Sequence, residues 1–185
     1  MRLYLKFFLL VILLLSSFPV HAASNQTLKI GINNDLDLIN PFVTKSTFSA
    51  NLLELVYDPL ININEKGEAL PLIAENWQAS SDQTKWTFEL RKNIYFHDGK
   101  PLTAKDVEFT FQTLKSMGGS INAFSLENIL SIKIASPTKV EFQLKSPDQT
   151  FLQTIRRTYI APAHLFGNNG LPLNEAYLAK PIGSG

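Results

Sequence analysis

The sequence predicts an α+β fold in which helices cover one side of an antiparallel sheet. Three observations carry the prediction. Trp86, Phe88 and Leu90 alternate with Thr87 and Glu89, the period of a half-buried strand. Thr103-Ala104-Lys105-Asp106 reads as a capping box, and the apolar residues after it, Val107, Phe111 and Leu114, fall at i, i+4 and i+7 on one helical face. Ile132 and Ile134, then Val140, Phe142 and Leu144, flank Ser136-Pro137-Thr138 as the arms of a hairpin with a turn longer than two residues.

The remaining elements follow in order. Leu28-Lys29-Ile30-Gly31-Ile32 alternates apolar and polar and reads as a first strand. Asn33 to Asn40 is rich in Asn and Asp and runs into Pro41, which makes a long polar loop reaching to Thr47, placed where a mobile or ligand-contacting segment would lie. Ser49 can cap a short helix carrying Leu52, Leu53, Val56 and Tyr57, stopped by Asp58-Pro59. Leu60 to Ile63 is a short strand entering a Glu65-Lys66-Gly67 turn, and Ser80-Ser81-Asp82 turns the chain into the Lys85–Leu90 strand. Gly99, in His97-Asp98-Gly99-Lys100, suits a left-handed turn position. Gly118-Gly119-Ser120 ends the capped helix, Asp148 can cap another with Phe151, Leu152 and Ile155, and Pro162, Gly167, Gly170, Pro172 and Pro181 break up the rest.

The N-terminus reads as an export signal. Arg2 and Lys6 precede the unbroken apolar run Phe7 to Leu15, and Val20-His21-Ala22 supplies a small-x-small cleavage site, so residues 1–22 are expected to be removed. Nine apolar residues fall well short of the ~20 that cross a bilayer. The chain has no cysteine, so neither a lipid-anchored cleavage site nor a disulfide framework is expected. A soluble protein of a Gram-negative periplasm fits best, without a membrane anchor. Residues 23–185 keep 15 Lys+Arg (17 less Arg2 and Lys6) against 16 Asp+Glu, a net charge near −1 that offers no footprint for nucleic acid.

Little in the sequence supports catalysis. There is no Cys nucleophile, Gly-x-Ser-x-Gly elbow, His-Glu-x-x-His pair or phosphate loop. His97-Asp98 is either a base with its orienting carboxylate or a structural turn, and adjacent turn residues rarely face one way. Two distant histidines, His97 and His164, make a weak metal set. No catalytic residue, metal site or cofactor is therefore expected. Trp86 and Phe88, like Trp77 and Tyr57, are either a core lining or an aromatic binding platform.

Four ordered stretches carry a resemblance. They are Leu55-Val56-Tyr57-Asp58-Pro59-Leu60, Pro71-Leu72-Ile73-Ala74-Glu75-Asn76-Trp77, Trp86-Thr87-Phe88-Glu89-Leu90-Arg91 and the run from Phe96 to Val107. The chain resembles the extracellular solute-binding proteins of family 5, periplasmic dipeptide-, oligopeptide- and nickel-binding components of ABC importers. Pro181-Ile182-Gly183-Ser184-Gly185 is similar to the start of the family's proline-isoleucine-glycine-threonine-glycine-proline-tyrosine stretch. The resemblance implies the N-terminal part of a two-lobed, type II-like binding protein with an accessory subdomain. Residues 23–48 would form the first strand and ligand-side loop of the main N-terminal subdomain, 49–166 the accessory α+β subdomain, and 167–185 a truncated return segment.

By the same resemblance Lys45, Ser46 and Thr47, with Phe48 next, would pair with an extended ligand backbone, as in strand addition. Lys45 would attract a ligand carboxylate or simply stay solvated. Phe124, after Gly118-Gly119, would line the cleft. The implied partners are a small solute, foremost a short peptide, and an inner-membrane ABC permease, with a monomeric full-length protein. Hinge closure would trap the solute without chemistry. The alternative is a truncated fragment or interaction module that binds no solute.

Overall fold

The computed structural model describes residue 31 and residues 39–44, 47–117, 126–167, 170–171, 177 and 180–185. The described residues from 39 onward belong to one compact unit. The expected signal peptide lies outside the described residues, as does the expected strand Leu28–Ile32 apart from Gly31, and so do the loop residues 33–38 and the Gly118-Gly119-Ser120 break. Among the described residues no helix is long and apolar enough to cross a membrane.

The first described helix, α1, spans Thr47–Leu53 and begins two residues before the expected cap. Ser49 is therefore not a cap but a buried residue inside the helix, and Val56 and Tyr57 follow it in a turn whose N–H groups bond Leu53 O at 3.0 and 2.8 Å. Strands β1 (Ile61–Ile63) and β2 (Ala69–Pro71) form a small antiparallel hairpin. Asn64 Oδ1 accepts from the N–H groups of Lys66 and Glu68, and Gly67 takes the positive φ of +83° that the turn requires.

The main sheet has four antiparallel strands in the order β3-β4-β6-β5, with β3 Ala74–Ala79, β4 Lys85–Leu90, β5 Ile129–Ser136 and β6 Lys139–Leu144. Its register sorts the residues by face. Trp77, Phe88 and Val140 share the inner face, as do Ala79, Trp86, Phe142 and Ile132. The outer face carries Gln78, Thr87, Glu141 and Lys133, with Lys85–Glu141 and Lys139–Glu89 ion pairs at 2.9 and 2.6 Å. Contrary to expectation, the β5–β6 connection is only Pro137-Thr138, because Ser136 still pairs with Lys139. The extra length seen in the sequence is absorbed as a register shift between Ile134 and Ser136.

Helix α2 (Ala104–Ser116) opens with the expected capping box. The Thr103 hydroxyl accepts from Lys105 N–H, and Asp106 Oδ2 accepts Thr103 N–H at 2.8 Å. Its Val107, Phe111 and Leu114 are buried against β5 and β6. Helix α3 spans Phe151–Arg156. Its N-cap residue is Thr150 rather than Asp148, which instead accepts Thr150 N–H and Oγ–H at 2.8 and 2.7 Å, shaping the turn before the helix. Phe151 brings its ring to Trp86, Phe88 and Phe142 at 5.5 to 6.4 Å, and Phe111 meets Phe142 at 4.9 Å. The aromatic alternation of β4 is thus core lining, not a binding platform. Both helices cover one sheet face, as the pattern predicts.

Candidate functional site

The segment leading into α1 is tied down by one buried side chain. Asn40, 1 % exposed, accepts Phe42 N–H on Oδ1 at 2.8 Å and donates from Nδ2 to Gly170 O at 3.0 Å. Asn40 O also accepts Thr44 N–H at 3.1 Å, closing a turn over Pro41–Val43. Phe42 is packed edge-on against Phe109 of α2 and Phe166, with centroids 5.9 and 5.2 Å away. Gly170 has φ +70° and faces the same ring closely, where a Cβ would stand 2.9 Å from Phe42 Cβ and Met117 Sδ. The polar loop therefore ends in an anchored turn at residues 40–44.

Of the residues expected to contact ligand, the structure places two. Thr47 opens α1 and Phe48 follows it, half-buried, in the first turn. Lys45, Ser46 and Phe124 lie outside the described residues. Thr47 and Phe48 thus stand at one helix end, three residues beyond the anchored turn.

The segment Pro181–Gly185 docks beside this region. Gly185 N–H donates to Val56 O at 3.1 Å, Ser184 Oγ to Asp58 Oδ2 at 3.1 Å, and His97 N–H to Gly183 O at 2.9 Å. Gly183 is buried and has no space for a side chain, since a Cβ there would lie 1.7 Å from Val56 O. Beneath the segment, Tyr57 is fully buried and its hydroxyl meets that of Tyr177 at 3.2 Å, while Tyr177 donates to Ile182 O at 2.5 Å. Tyr177's single proton is used on Ile182, so Tyr57 donates to Tyr177. Burial, reinforced by Tyr177, pushes the Tyr57 phenol far above its ordinary pKa, so the chain of donors stays protonated.

The His97-Asp98 pair splits between different partners. His97 turns to the docked segment, whereas Asp98 accepts from His164 Nε2 at 2.7 Å and from Lys100 N–H at 3.1 Å. Burial opposes ionisation of Asp98, but the bonds from His164 and Lys100 outweigh it and hold its carboxyl below the usual range. Gly99 takes φ +80°, as the sequence predicts. This is the structural turn of the two readings, and its role is to join residues 96–100, 164 and 183–185. Among the described residues no group of three or more metal-ligating side chains converges.

Sequence reasoning missed Asn40, Tyr177 and the docking role of Gly183. For Gly183 a signal existed in the closely spaced glycines of the terminal motif. For Asn40 and Tyr177 none did, because their partners lie 130 and 120 residues away in the chain.

Comparison with known proteins gives this geometry a context. The model for bacterial extracellular solute-binding proteins, family 5 Middle, matches residues 68–185. The nickel-binding periplasmic protein of Escherichia coli is 28% identical over 184 residues, 96% of this chain and 34% of its own. The oligopeptide-binding protein AppA of Bacillus subtilis is 30% identical over 164 residues, 85% of this chain and 30% of its own. Among solved structures, NikZ from Campylobacter jejuni in complex with Ni(L-His) superposes with a TM-score of 0.70 at 27% identity, covering 82% of this chain and 30% of that one. AppA in complex with a nonapeptide superposes at 0.66 with 28% identity, covering 80% and 31%. The chain spans about a third of the length of the curated relatives it matches. Its mixed helix-and-sheet fold corresponds to part of a periplasmic binding protein, and these relatives are binding proteins rather than enzymes. The chain belongs to the bacterial extracellular solute-binding proteins of family 5.

Proposed function

We propose that this chain is the N-terminal part of a periplasmic solute-binding protein that captures short peptides and delivers them to an inner-membrane ABC permease. The observation that carries the reading is the family match over residues 68–185, which takes in the turn and capped helix at 96–116 and the docked segment 181–185. Peptide is the favoured cargo because AppA, 30% identical, is an oligopeptide-binding protein whose structure holds a nonapeptide. Such a component performs no chemistry itself. It traps its solute by closure, and the energy for transport is supplied by other subunits.

In this reading residues 1–22 are a signal peptide, Lys45, Ser46, Thr47 and Phe48 form the ligand-side edge, and Phe124 lines the cleft. The same reading divides the chain into 23–48, 49–166 and 167–185, and contacts among the described residues cross both boundaries. Residues 40–42 bond and stack with 166 and 170, and residues 183–185 dock on 56–58 and 97. The anchored turn at 40–44 precedes in sequence the stretch 45–48 to which this reading assigns backbone pairing with an extended peptide.

The test is equilibrium dialysis of the native protein, at its natural length, against mixed short peptides and separately against Ni²⁺ with histidine. Retention of peptides at a one-to-one ratio is expected. Retention of the nickel chelate alone would replace the cargo, and retention of neither would leave a fragment or interaction module that binds no solute.

A further inference from the structure

His97 engages the docked segment with its ring as well as its backbone. Gly183 N–H donates to imidazole Nδ1 at 3.3 Å, and Nε2 lies 2.7 Å from Gly185 O. A backbone N–H only donates and a carbonyl oxygen only accepts, so one form of the ring satisfies both contacts: neutral imidazole with its proton on Nε2. The other tautomer sets N–H against N–H at Nδ1 and lone pair against oxygen at Nε2. The imidazolium keeps the bond to Gly185 but takes away the acceptor that Gly183 needs.

We propose that His97 is a positioning residue that clamps Pro181–Gly185 as the neutral Nε2–H tautomer, and that protonating its ring releases Gly183. The inference stands apart from the transport reading, since it rests on the contacts of this segment alone. The carboxylates around the clamp are already engaged. Asp98 and Lys100 share the turn with His97, and Asp98 accepts from His164 of the 163–165 turn and from Lys100 N–H. Asp58, on the chain before β1, accepts from Ser184. No carboxylate among them bonds the His97 ring to hold a proton on Nδ1. The bonds from Gly185 N–H to Val56 O and from His97 N–H to Gly183 O do not involve the ring, so protonation weakens the docking without abolishing it.

The test is solution NMR of the native protein labelled with ¹⁵N, titrated from about pH 8 to about pH 5. The ring nitrogens of His97 are expected to report the Nε2–H tautomer at the upper end. Gly183 amide exchange, corrected for its intrinsic pH dependence, is expected to rise about fivefold, the worth of one neutral hydrogen bond. The rise should follow the His97 ring and not that of His164. In His97→Asn, a non-titrating acceptor takes the place of Nδ1, and the pH dependence should disappear. An Nδ1–H tautomer in the unsubstituted protein would overturn the proposal whatever the variant does. So would Gly183 exchange that ignores pH, that tracks His164 instead, or that responds equally in the Asn variant.

Discussion

At the scale of single residues, two positions are decided by what surrounds them rather than by their own chemistry. Gly183 occupies a space in which a methyl group would overlap Val56 O, at 1.7 Å from a built Cβ, and that oxygen belongs to backbone that also receives Gly185 N–H. Gly183→Ala must therefore push the segment off Val56, and the expected cost is about 1–3 kcal/mol, the range for overpacking a tight contact. Urea denaturation monitored by circular dichroism would measure it, and an unchanged midpoint would show that the segment does not dock. Trp86 is the converse case. Among the described residues its Nε1 is the buried side-chain polar atom with no hydrogen-bond partner, and its ring stacks on Phe88 and meets Phe151 at a tilt of 45°. Trp86→Phe gives up area but removes an unpaired N–H, so the two effects oppose each other and the net change should stay within about 1 kcal/mol. Phe88→Ala, in the same cluster and fully buried, should lose about 3–5 kcal/mol. Equal losses for both variants in the same denaturation series would contradict the assignment of an orphan N–H.

Elements are held by local signals in some places and by distant partners in others, and α2 shows both. Thr103 acts locally at the cap, so Thr103→Ala should cost about 1 kcal/mol. Asp106 closes the cap with Oδ2 and also accepts Ala163 N–H on Oδ1 at 3.0 Å, tying the helix to the turn at 163–165. Asp106→Ala leaves two N–H groups unpaired and should cost more, about 2–3 kcal/mol. The order of the two variants in thermal melts is the check. In the turn before β4, Asp82 is held below the usual carboxylate range by bonds from the Ser80 hydroxyl first, then the Thr84 N–H and hydroxyl. Its folded-state pKa lies below its unfolded one, so its contribution is present above about pH 4 and lost as pH falls through the depressed value. The Thr84 amide should lose protection only in that acidic window, and loss beginning near neutrality would contradict it. The same division explains what could be read in advance. Strand β4, helix α2 and the β5–β6 hairpin carry their own periodicity and caps, and the sequence predicts them. Strand β3, Ala-Glu-Asn-Trp-Gln-Ala, has no β-branched residue and exists because β4 pairs with it, so it shows no local signal. The start of α1 was misplaced for a similar reason, since Ser49 looks like a cap but is buried within the helix.

On the scale of the whole molecule, the core and the candidate site are stabilised by different sets of contacts. The core is the inner sheet face with α2 and α3, an aromatic cluster of Phe88, Phe111, Phe142 and Phe151. The site region depends instead on crossings between residues far apart in sequence: Asn40 with Gly170, Tyr57 with Tyr177, and His97 with Gly183. Periodicity reports neighbours three, four or two residues away, so it reveals the first set and is blind to the second. The family resemblance named Lys45 to Phe48 and Phe124, but only the folded chain shows that the turn before them is anchored. Two separable levels of stability follow. Deleting residues 181–185 removes the bonds to Val56, Asp58, His97 and Tyr177 and the cover over Tyr57, while of the core it takes away the edge packed by Ile182 and the acceptor of Tyr177. Hydrogen exchange is therefore expected to accelerate at residues 56–58 and 97 and to stay slow along β4 and β6. If exchange instead rose uniformly through the sheet, the docked segment would be part of one cooperative core. Its loosening by His97 would then unfold the molecule rather than free one segment of it.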